Sequence, residues 1–498
     1  MPLTAPKQGA LHGAYDEMIR LMEQAMHMPT CEDAIKRELT VDGKRAALFY
    51  VDGMIDNTRV AQYVLQPCMQ AQNVIFTPEY LVQTLLPVGS AAHSVQLSVV
   101  LNRIYGGDAA LVVEGVDGAV LCDIRGYAKR GVQKPSSEMV VQGPQEGFTE
   151  TLRDNIVLLR RMLRTPQLVS HASSVGSRVP TRVCVLYLEG VANKENVLEV
   201  LRRIEGCNVD FVSSIGMLEQ LLEDDPYALF PQAIATERPD RAASFLLSGQ
   251  VLIAMENAPQ MLALPMSALE LLHAPDDTAL RWQYGTFLRL LRAAGLLSAL
   301  FAPALFVALT CFHTEGIPLS LLTSVQEAQS RMPIGVFPST LLMLVVFSLI
   351  NEACTRVPSV MGGSLGVVSA IILGQAAVQA DLVNPQIIVI VALSGLGSFV
   401  TPDYPTSIAL RIMQLLLVIT AGVAGYFGVF LLSFLLLLQL LSIRSLRAPL
   451  FAPVSPLRPE NPDVVVRYPV WRQRLRGYLA NPLSMLRTRG RMRDWEER

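Results

Sequence analysis

The chain has little charge. Aspartate, glutamate, lysine and arginine make up only 17% of its 498 residues, whereas about 25% is usual in soluble proteins. The deficit is concentrated in residues 295–443, which hold three arginines and five acidic residues. A wholly soluble single-domain enzyme is therefore excluded, and a membrane-embedded region is predicted.

Cysteine is also scarce, and the seven that are present include no Cys-x-x-Cys pair. A disulfide framework or a zinc site requires cysteines at paired spacing, so these scattered thiols favour a reducing compartment. Residues 1–28 lack the apolar run of a signal peptide, because Lys, Asp, Glu and Arg interrupt them. We expect the N-terminal region to stay in the cytoplasm.

Motifs of catalysis are missing. There is no phosphate-binding loop of the form Gly-x-x-x-x-Gly-Lys-Ser/Thr and no His-Glu-x-x-His zinc motif. The six histidines show no metal-ligand spacing, and a glycine-rich stretch at 362–366 lies inside an apolar run. We expect no catalytic residue, metal site, cofactor or nucleic-acid partner, and we predict that the chain is not an enzyme.

The charge that is present is divided between the two ends. Residues 1–294 carry a net charge of −7, and residues 444–498, with twelve arginines, no lysine and five acidic residues, carry +7. Each arginine near anionic headgroups contributes about 1 kcal/mol. We expect this basic tail to bind either anionic lipid headgroups or acidic faces of the N-terminal part, and the sequence favours neither.

The N-terminal part contains an internal duplication. Residues 45–56 and 182–193 align without gaps, with identical Arg, Tyr and Gly. Each copy is typical of a buried strand, a glycine turn and an Asx helix cap. Helices are predicted to follow at 59–69 and 194–204. A strand–turn–strand unit is then predicted in each copy. It is placed at 110–124 in the first and 243–255 in the second.

A bracing helix is predicted between the two copies. Phe148, Leu152, Ile156, Leu159 and Leu163 recur at helical spacing, while most of the neighbouring arginines fall on other faces. We expect this helix to brace the lobes, with a ligand or partner surface as the alternative.

The apolar part contains several candidate membrane spans, since a helix needs about 20 apolar residues to cross the hydrocarbon core. The spans are predicted at 290–312, 337–353, 361–380, 385–400 and 408–443, and an interfacial or re-entrant helix at 318–332.

The last run, 408–443, is too long for one span, because a single helix of that length would reach ~54 Å. Gly422, Gly425 and Gly428 lie in its middle and favour a hairpin of two short spans. Six spans place the basic tail on the same side as the N-terminal domain, as the positive-inside rule prefers. Five spans would place its twelve arginines on the other side. A long tilted helix, with one of the earlier segments failing to cross, is the alternative.

The predicted fold is an α/β N-terminal region of two duplicated lobes followed by an all-α multi-pass transmembrane domain. The predicted divisions are an N-terminal segment at 1–40, lobe 1 at 41–142, the bracing helix at 143–166, lobe 2 at 167–280, the transmembrane domain at 286–443 and the basic cytoplasmic tail at 444–498.

Six stretches together resemble the A subunit of GerA-type spore germination receptors, over about residues 40 to 460. They are residues 143–163, 187–190, 351–352, 374–377, 401–404 and 442–447. The resemblance implies a nutrient germinant receptor subunit in the inner membrane of a bacterial spore, with the N-terminal domain and the tail in the cytoplasm.

The resemblance also implies partners: membrane lipid, a transporter-like B subunit that binds the nutrient, and a lipoprotein C subunit. It implies a homo-oligomeric ring whose opening releases cations. A SpoVAF-like accessory protein of the same architecture and a non-conducting scaffold are the alternatives. A secondary transporter is disfavoured, because no inverted repeat of broken helices is visible.

The third predicted span carries the candidate ion path. One face is a stripe of small residues suited to close helix packing, and another face would line a pore in a ring, with an apolar constriction that gates by dewetting. The packing stripe is Gly362, Gly366, Ala370 and Gly374, and the candidate pore-lining residues are Ser364, Val368, Ile371, Gln375 and Gln379. Packing within one subunit is the alternative for both faces.

Glu352 and Arg356 form a second candidate site at the end of the second span. An ionisable group near a span end suggests a function, here a mouth that attracts cations. The spacing of four residues with Glu first also favours a helical ion pair. Both interpretations are kept.

Overall fold

The computed structural model describes residues 10–126, 134–135, 138–330, 332–356, 374–456, 463, 466–488 and 492–493. It contains two five-stranded antiparallel sheets followed by a helical region rich in apolar residues. The predicted fold class, two duplicated α/β lobes followed by a helical transmembrane domain, is confirmed.

The two sheets have the same strand order. Lobe 1 has the order β1-β2-β4-β5-β3 and lobe 2 has the order β6-β7-β9-β10-β8, so each strand of one lobe has a counterpart at the same place in the other. The strands are β1 Ala34–Val41, β2 Lys44–Val51, β3 Ala91–Ser94, β4 Ala109–Val113, β5 Ala119–Cys122, β6 Leu168–Val175, β7 Thr181–Leu188, β8 Ile234–Thr236, β9 Val251–Met255 and β10 Met261–Leu264.

Helices cover both faces of each sheet. In β2, Ala47 and Phe49 join one apolar core while Ala46 and Leu48 join the other, because successive side chains of a strand point to opposite faces. The helices of the lobes are α1 Tyr15–Ala25, α2 Asn57–Val60, α3 Gln66–Gln70, α4 Pro78–Tyr80, α5 Leu97–Ile104, α6 Leu152–Met162, α7 Lys194–Gly206, α8 Ile215–Leu222, α9 Pro239–Ser248 and α10 Asp276–Ala279. Single π-helical turns, Ala61–Leu65 and Leu81–Leu85, follow α2 and α4.

The predicted helix caps are present in both copies. The Asp56 carboxylate accepts hydrogen bonds from the backbone N–H groups of Thr58 and Arg59, and the Asn193 side chain accepts one from Glu195. Such caps satisfy N–H groups that have no partner inside the helix. The duplicated sequence therefore encodes the same strand-to-helix connection twice.

The strand–turn–strand unit predicted at 243–255 is wrong in its first half. Residues up to Ser248 belong to α9, which starts at Pro239 and ends at Gly249 with φ of 93°. That left-handed conformation is typical of a glycine after a helix C-terminus. The hairpin that corresponds to β4–β5 is β9–β10.

Two predicted boundaries also differ from the structure. The bracing helix α6 begins at Leu152 rather than near 143, because Pro144 and Gly147 interrupt the segment and the Asn155 side chain accepts the Thr149 N–H. Lobe 1 begins well before residue 41, since all of β1 pairs with β2 and α1 contributes to the lobe core.

Among the described residues of the membrane region, three helices are long and apolar enough to cross a bilayer: 282–312, 336–354 and 404–442. The first extends about 46 Å at 1.5 Å per residue, well beyond a hydrocarbon core of about 30 Å. The helices of this region are α11 Trp282–Phe312, α12 Leu319–Ser330, α13 Val336–Arg356, α14 Pro385–Phe399 and α15 Tyr404–Ser442, and residues 374–379 are also helical.

Helix α15 turns back on itself at Gly425, whose φ of 59° and ψ of −143° are not helical. Thr406 and Leu440 line one cavity, although they would lie ~51 Å apart in a straight helix. The run therefore consists of two arms, 404–424 and 426–442, of about 31 and 26 Å.

The described part of the tail packs on lobe 2. The Ser445 hydroxyl donates to the Gln232 carbonyl over 2.6 Å, and the Leu483 N–H donates to the Val191 carbonyl. Leu450 is buried in a core of lobe 2. Backbone and apolar contacts thus hold this segment. Short strands β11 Arg444–Ser445 and β12 Ala448–Pro449 and a 3-10 turn, Val470–Arg472, lie within it.

Candidate ion path and coupling sites

Most of the candidate pore face lies outside the described residues. Ser364, Val368 and Ile371, with Gly362, Gly366 and Ala370 of the packing stripe, fall in 357–373. The described members are on the short helix 374–379. Gln375 and Gln379 are exposed and Gly374 is half-buried. A side chain added at Gly374 would meet no described atom within 4 Å.

Within the described residues, close helix packing occurs at the C-terminal half of α14. Gly395 lies against the Phe347 ring, and Gly397 lies against the backbone of Gly295, with no room for a Cβ at either glycine. The Ser394 hydroxyl donates to the carbonyl of Ala299 over 3.2 Å. Small residues and interhelical hydrogen bonds are what holds helices together in lipid. The sequence signal that could have indicated this packing is the run of small residues Ser394-Gly-Leu-Gly397.

Glu352 and Arg356 form an ion pair on the surface of α13. The distance from Arg356 Nη2 to Glu352 Oε1 is 2.6 Å, and both side chains are exposed. Asn351, the preceding residue, can accept a hydrogen bond from Arg411 of α15 at 2.7 Å with its amide oxygen turned toward the guanidinium. The end of α13 therefore carries a polar cluster that links two membrane helices.

One carboxylate binds two arginines near the start of the first membrane helix, α11, and we call this end of α11 its root. Asp277 accepts hydrogen bonds from Arg289 Nε at 3.0 Å and Arg292 Nη1 at 2.9 Å, and all three side chains are at least 90% buried. Arg289 also reaches Asp463 of the tail at 2.6 Å. Arg467 of the tail donates to backbone carbonyls around α10. Arg289 and Arg292, which the sequence places around the start of the first predicted span, are thus internal.

The joint between the lobes has a buried ion pair that sequence analysis missed. Arg160 of the bracing helix donates to Asp33 through Nε at 2.7 Å and Nη2 at 2.8 Å. It also contacts the Leu168 carbonyl and the Cys31 sulfur, and Ser170 donates to Asp33. Burial alone would raise the pKa of Asp33, but the Arg160 charge and these hydrogen bonds hold that pKa below its usual value. The partners lie 127 residues apart, so no local pattern indicates them.

The bracing helix contacts both lobes. Leu159 and Ile156 belong to a core of lobe 2, whereas Val157 belongs to a core of lobe 1. On its exposed side, Arg153 makes a two-bond pair with Asp52 of lobe 1, at 2.6 and 2.7 Å. The helix α6 therefore packs against both lobes and joins them.

A third cluster joins the tail to lobe 2. Glu199 of α7 is bound by Arg202 and Arg203, and these hydrogen bonds lower its pKa to about 2. Arg447 of the tail reaches the same carboxylate at 3.2 Å. The ionised Glu199 is thus a fixed anchor for the segment that leaves α15. No group of three or more His, Cys, Asp or Glu that could hold a metal occurs in the described ranges.

Comparison with known proteins gives consistent matches over most of the chain. A family model described as Bacillus/Clostridium GerA spore germination protein matches residues 20–478. Spore germination protein B1 of Bacillus subtilis (strain 168) is 34% identical over 76% of this chain and 78% of that protein. The uncharacterized membrane protein YfkQ of the same organism is 31% identical over 89% of this chain and 86% of that protein.

One solved structure also matches. It is the crystal structure of the N-terminal domain of the A subunit of the Bacillus megaterium spore germinant receptor GerK3. The match has a TM-score of 0.38 and 23% identity, over 52% of this chain and 97% of that chain.

Proposed function

This chain belongs to the GerA family of spore germination proteins, and we propose that it is the A-type subunit of a nutrient germinant receptor in the spore inner membrane. The observation that carries the proposal is the extent of the family match, which runs from residue 20 to 478 and so includes both five-stranded sheets and every described membrane helix. We propose no enzymatic activity for it.

In this proposal several copies form a ring around an ion path, and opening of that path releases cations. The third predicted span would line it with Ser364, Val368, Ile371, Gln375 and Gln379, and the small-residue stripe would pack on its other face. The exposure of the Gln375 and Gln379 amides supports a polar surface that neighbouring copies can complete. The Glu352–Arg356 pair is placed at a mouth of the path.

The lobes would couple a partner to the path. A transporter-like B subunit binds the nutrient and a lipoprotein C subunit completes the receptor, with the lobes and the tail in the cytoplasm. Movement of lobe 2 would reach the first membrane helix through Asp277, Arg289 and Arg292. The burial of all three side chains supports this route, because a packed ionic contact transmits a displacement rather than absorbing it.

The first test is cation release from spores that lack the gene, measured with single nutrients. A dedicated receptor subunit predicts loss of the response to one nutrient and normal responses to the others. A slower response to every nutrient would contradict the receptor proposal and assign the chain to the accessory relatives.

The second test concerns the ion path. Replacing Val368 with Ala or Ser should widen the apolar constriction and cause germination without nutrient, whereas a non-conducting scaffold would only lose some stability. Val383→Ala, a buried valine elsewhere in the membrane region, is the matched control. Normal dormancy of spores that contain the Val368 variant at full level would overturn the gate.

A further inference from the structure

An apolar cavity of about 470 Å³ lies where lobe 2 meets the membrane helices. Leu300 of α11 forms one wall, and Met413 and Phe434, from the two arms of α15, form two others. The 3-10 turn Ala268–Leu272 of lobe 2, together with Phe230, closes the end toward the lobe. The cavity therefore touches the three parts of the molecule that a coupling movement has to involve.

The lining of this cavity selects an apolar occupant. Among the described residues that form it there is no charged side chain, and the polar ones are Thr401, Thr406 and Ser433. Water does not fill a cavity of this kind, because it finds too few hydrogen-bond partners. A hydrocarbon chain gives up no hydrogen bond by entering it, and it supplies the van der Waals contacts that an empty cavity lacks.

The cavity is continuous with the surface that faces lipid. Phe430, Phe434 and Leu437 line it and are also 68%, 57% and 47% exposed. These residues lie in the second arm of α15, which contains no charged residue. An acyl chain from the surrounding bilayer can thus enter sideways without crossing a polar layer.

A polar atom at the lobe end of the cavity lacks a partner. Within the described structure, the Thr401 hydroxyl is buried and makes no hydrogen bond, whereas Thr406 and Ser433 donate to Asp403 and to the Val429 carbonyl. Buried hydroxyls nearly always have a partner. The ester carbonyl of a glycerolipid lies at the boundary between its acyl chain and its headgroup, so it would meet this hydroxyl when the chain fills the cavity.

We propose that this cavity binds one acyl chain of a membrane glycerolipid, with the Thr401 hydroxyl donating to an ester carbonyl of that lipid. The bound chain packs α15 against α11 and against the 3-10 turn of lobe 2. The lipid is then a structural part of the junction, and the site is independent of whether the chain conducts ions.

Photolabelling of the full-length chain tests the site directly. Purified protein is placed in nanodiscs that contain phosphatidylglycerol with a diazirine in the middle of one acyl chain, and the labelled peptides are identified by mass spectrometry. The proposal predicts labels on Ala268–Leu272, which belongs to lobe 2, as well as on the membrane helices. Labels confined to the membrane helices would overturn the proposal. That result is also expected if a second copy of the chain, rather than a lipid, fills the cavity.

A filling variant and a matched control separate the cavity from the general lipid surface. Met413 is 3% exposed and lines the cavity, whereas Leu416 is 41% exposed and does not. Met413→Trp should lower labelling of the 268–272 peptide at least tenfold, and Leu416→Trp should leave it within twofold. Equal labelling in both variants would contradict the proposal.

Thr401→Val tests the hydroxyl without changing the cavity volume. The number of phosphatidylglycerol molecules retained per chain, counted by native mass spectrometry after mild extraction, should fall several-fold in this variant. An ether-linked analogue, which lacks the ester carbonyls, should be retained equally by the unmodified chain and by the variant. A loss in Thr401→Val that is as large with the ether lipid would overturn the hydroxyl–carbonyl contact.

Discussion

The two lobes share one strand order but are attached to the rest of the chain in different ways. Lobe 2 contacts the tail, the end of α15 and the root of the first membrane helix. Lobe 1 is attached to α6 and β6 through Arg160, through Arg153 and through a backbone hydrogen bond in which the Glu32 N–H donates to the Ser170 carbonyl. Lobe 2 thus contacts the membrane region, and we call it the platform lobe. Lobe 1 is attached to the bracing helix and to lobe 2.

The difference also appears in the buried charges. At the root of α11 the Asp277 carboxylate pairs with two guanidinium groups. At the joint between the lobes, the Asp33 carboxylate pairs with one. Removing one partner of a buried ion pair leaves the other charge without compensation, at a cost of about 3–5 kcal/mol. We therefore expect changes at the root of lobe 2 to be the most damaging, and changes at lobe 1 to be more local.

The largest effect is expected for Asp277→Asn, because it leaves Arg289 and Arg292 buried without their shared carboxylate. The loss of about 3–5 kcal/mol should increase opening of the helix root by two orders of magnitude or more. Hydrogen exchange of residues 276–292, measured by mass spectrometry on the full-length chain in nanodiscs, reports this opening. Asp276→Asn removes the neighbouring carboxylate and should change exchange little; equal exchange in the two variants would remove the basis for calling lobe 2 the platform.

A somewhat smaller effect is expected for Arg160→Met at the lobe joint, at about 3 kcal/mol, because Asp33 can take up a proton when its partner is lost. Buried thiols give a readout for each region. Labelling of Cys31 and Cys184 should accelerate about a hundredfold, while Cys68 and Cys122, within the core of lobe 1, should react at unchanged rates. Arg161→Met changes the next residue of the helix, which is partly exposed, and is the control. Faster labelling of Cys68 in Arg160→Met would contradict the prediction, because it would show that the joint and lobe 1 unfold together.

The pH dependence of the same variant has a defined sign. In the unmodified chain the folded-state pKa of Asp33 is lowered, so its stabilisation is present above the unfolded pKa of about 3.9 and is lost as the pH falls through the folded pKa. Without Arg160, burial raises that pKa, and the variant is destabilised as the pH rises. The difference in melting temperature should therefore be larger at pH 7 than at pH 4, and the reverse order would contradict the assignment.

The duplicated part of the fold was predictable because its signals are local. The copies at 45–56 and 182–193 retain the buried strand, the turn and the cap, and each structure follows from a dozen consecutive residues. The helix at 239–248 was predicted in part as a strand because Phe245–Leu247 is a short apolar run. Short apolar runs do not distinguish a buried helix from a strand, although Pro239 and Gly249 marked its ends.

The buried ionic contacts were not predictable in the same way. Asp33 and Arg160 meet only when two distant elements fold together, so neither has a sequence neighbour that indicates its role. The sequence shows Arg289 and Arg292 around the start of the first predicted span, but their burial depends on α10 and the tail. Charge patterning places such residues along the chain and does not show which of them are internal.

A pH effect specific to lobe 2 is expected at Glu270, in the 3-10 turn that leads to the membrane. Burial raises its pKa to about 7, so the folded state favours the protonated form and loses stability as the pH rises from the unfolded pKa of about 4.3 to about 7. At about 1.4 kcal/mol per pKa unit, the stability lost between pH 5 and pH 8 amounts to roughly 2–3 kcal/mol. Glu270→Gln should reduce the fall in melting temperature between pH 5 and pH 8.

Glu205→Gln is the control for this prediction, since Glu205 is an exposed glutamate of the same lobe. It should leave the pH profile of the melting temperature as it is in the unmodified chain. If the melting temperature of Glu270→Gln fell as much between pH 5 and pH 8 as that of the unmodified chain, another group would be responsible for the pH response of lobe 2.

The smallest effect is expected for Arg153→Gln, which removes the exposed ion pair between the bracing helix and Asp52. The pair has short distances, but its side chains are 48% and 37% exposed, and exposed pairs contribute at most about 1 kcal/mol. Labelling of Cys31 should therefore change less than about fivefold, and the change should shrink further at high salt. Arg153 and Arg160 lie seven residues apart on the same helix, so the comparison holds the backbone element constant and varies burial. If Arg153→Gln opened the joint as much as Arg160→Met does, surface charge rather than the buried pair would hold lobe 1 to lobe 2.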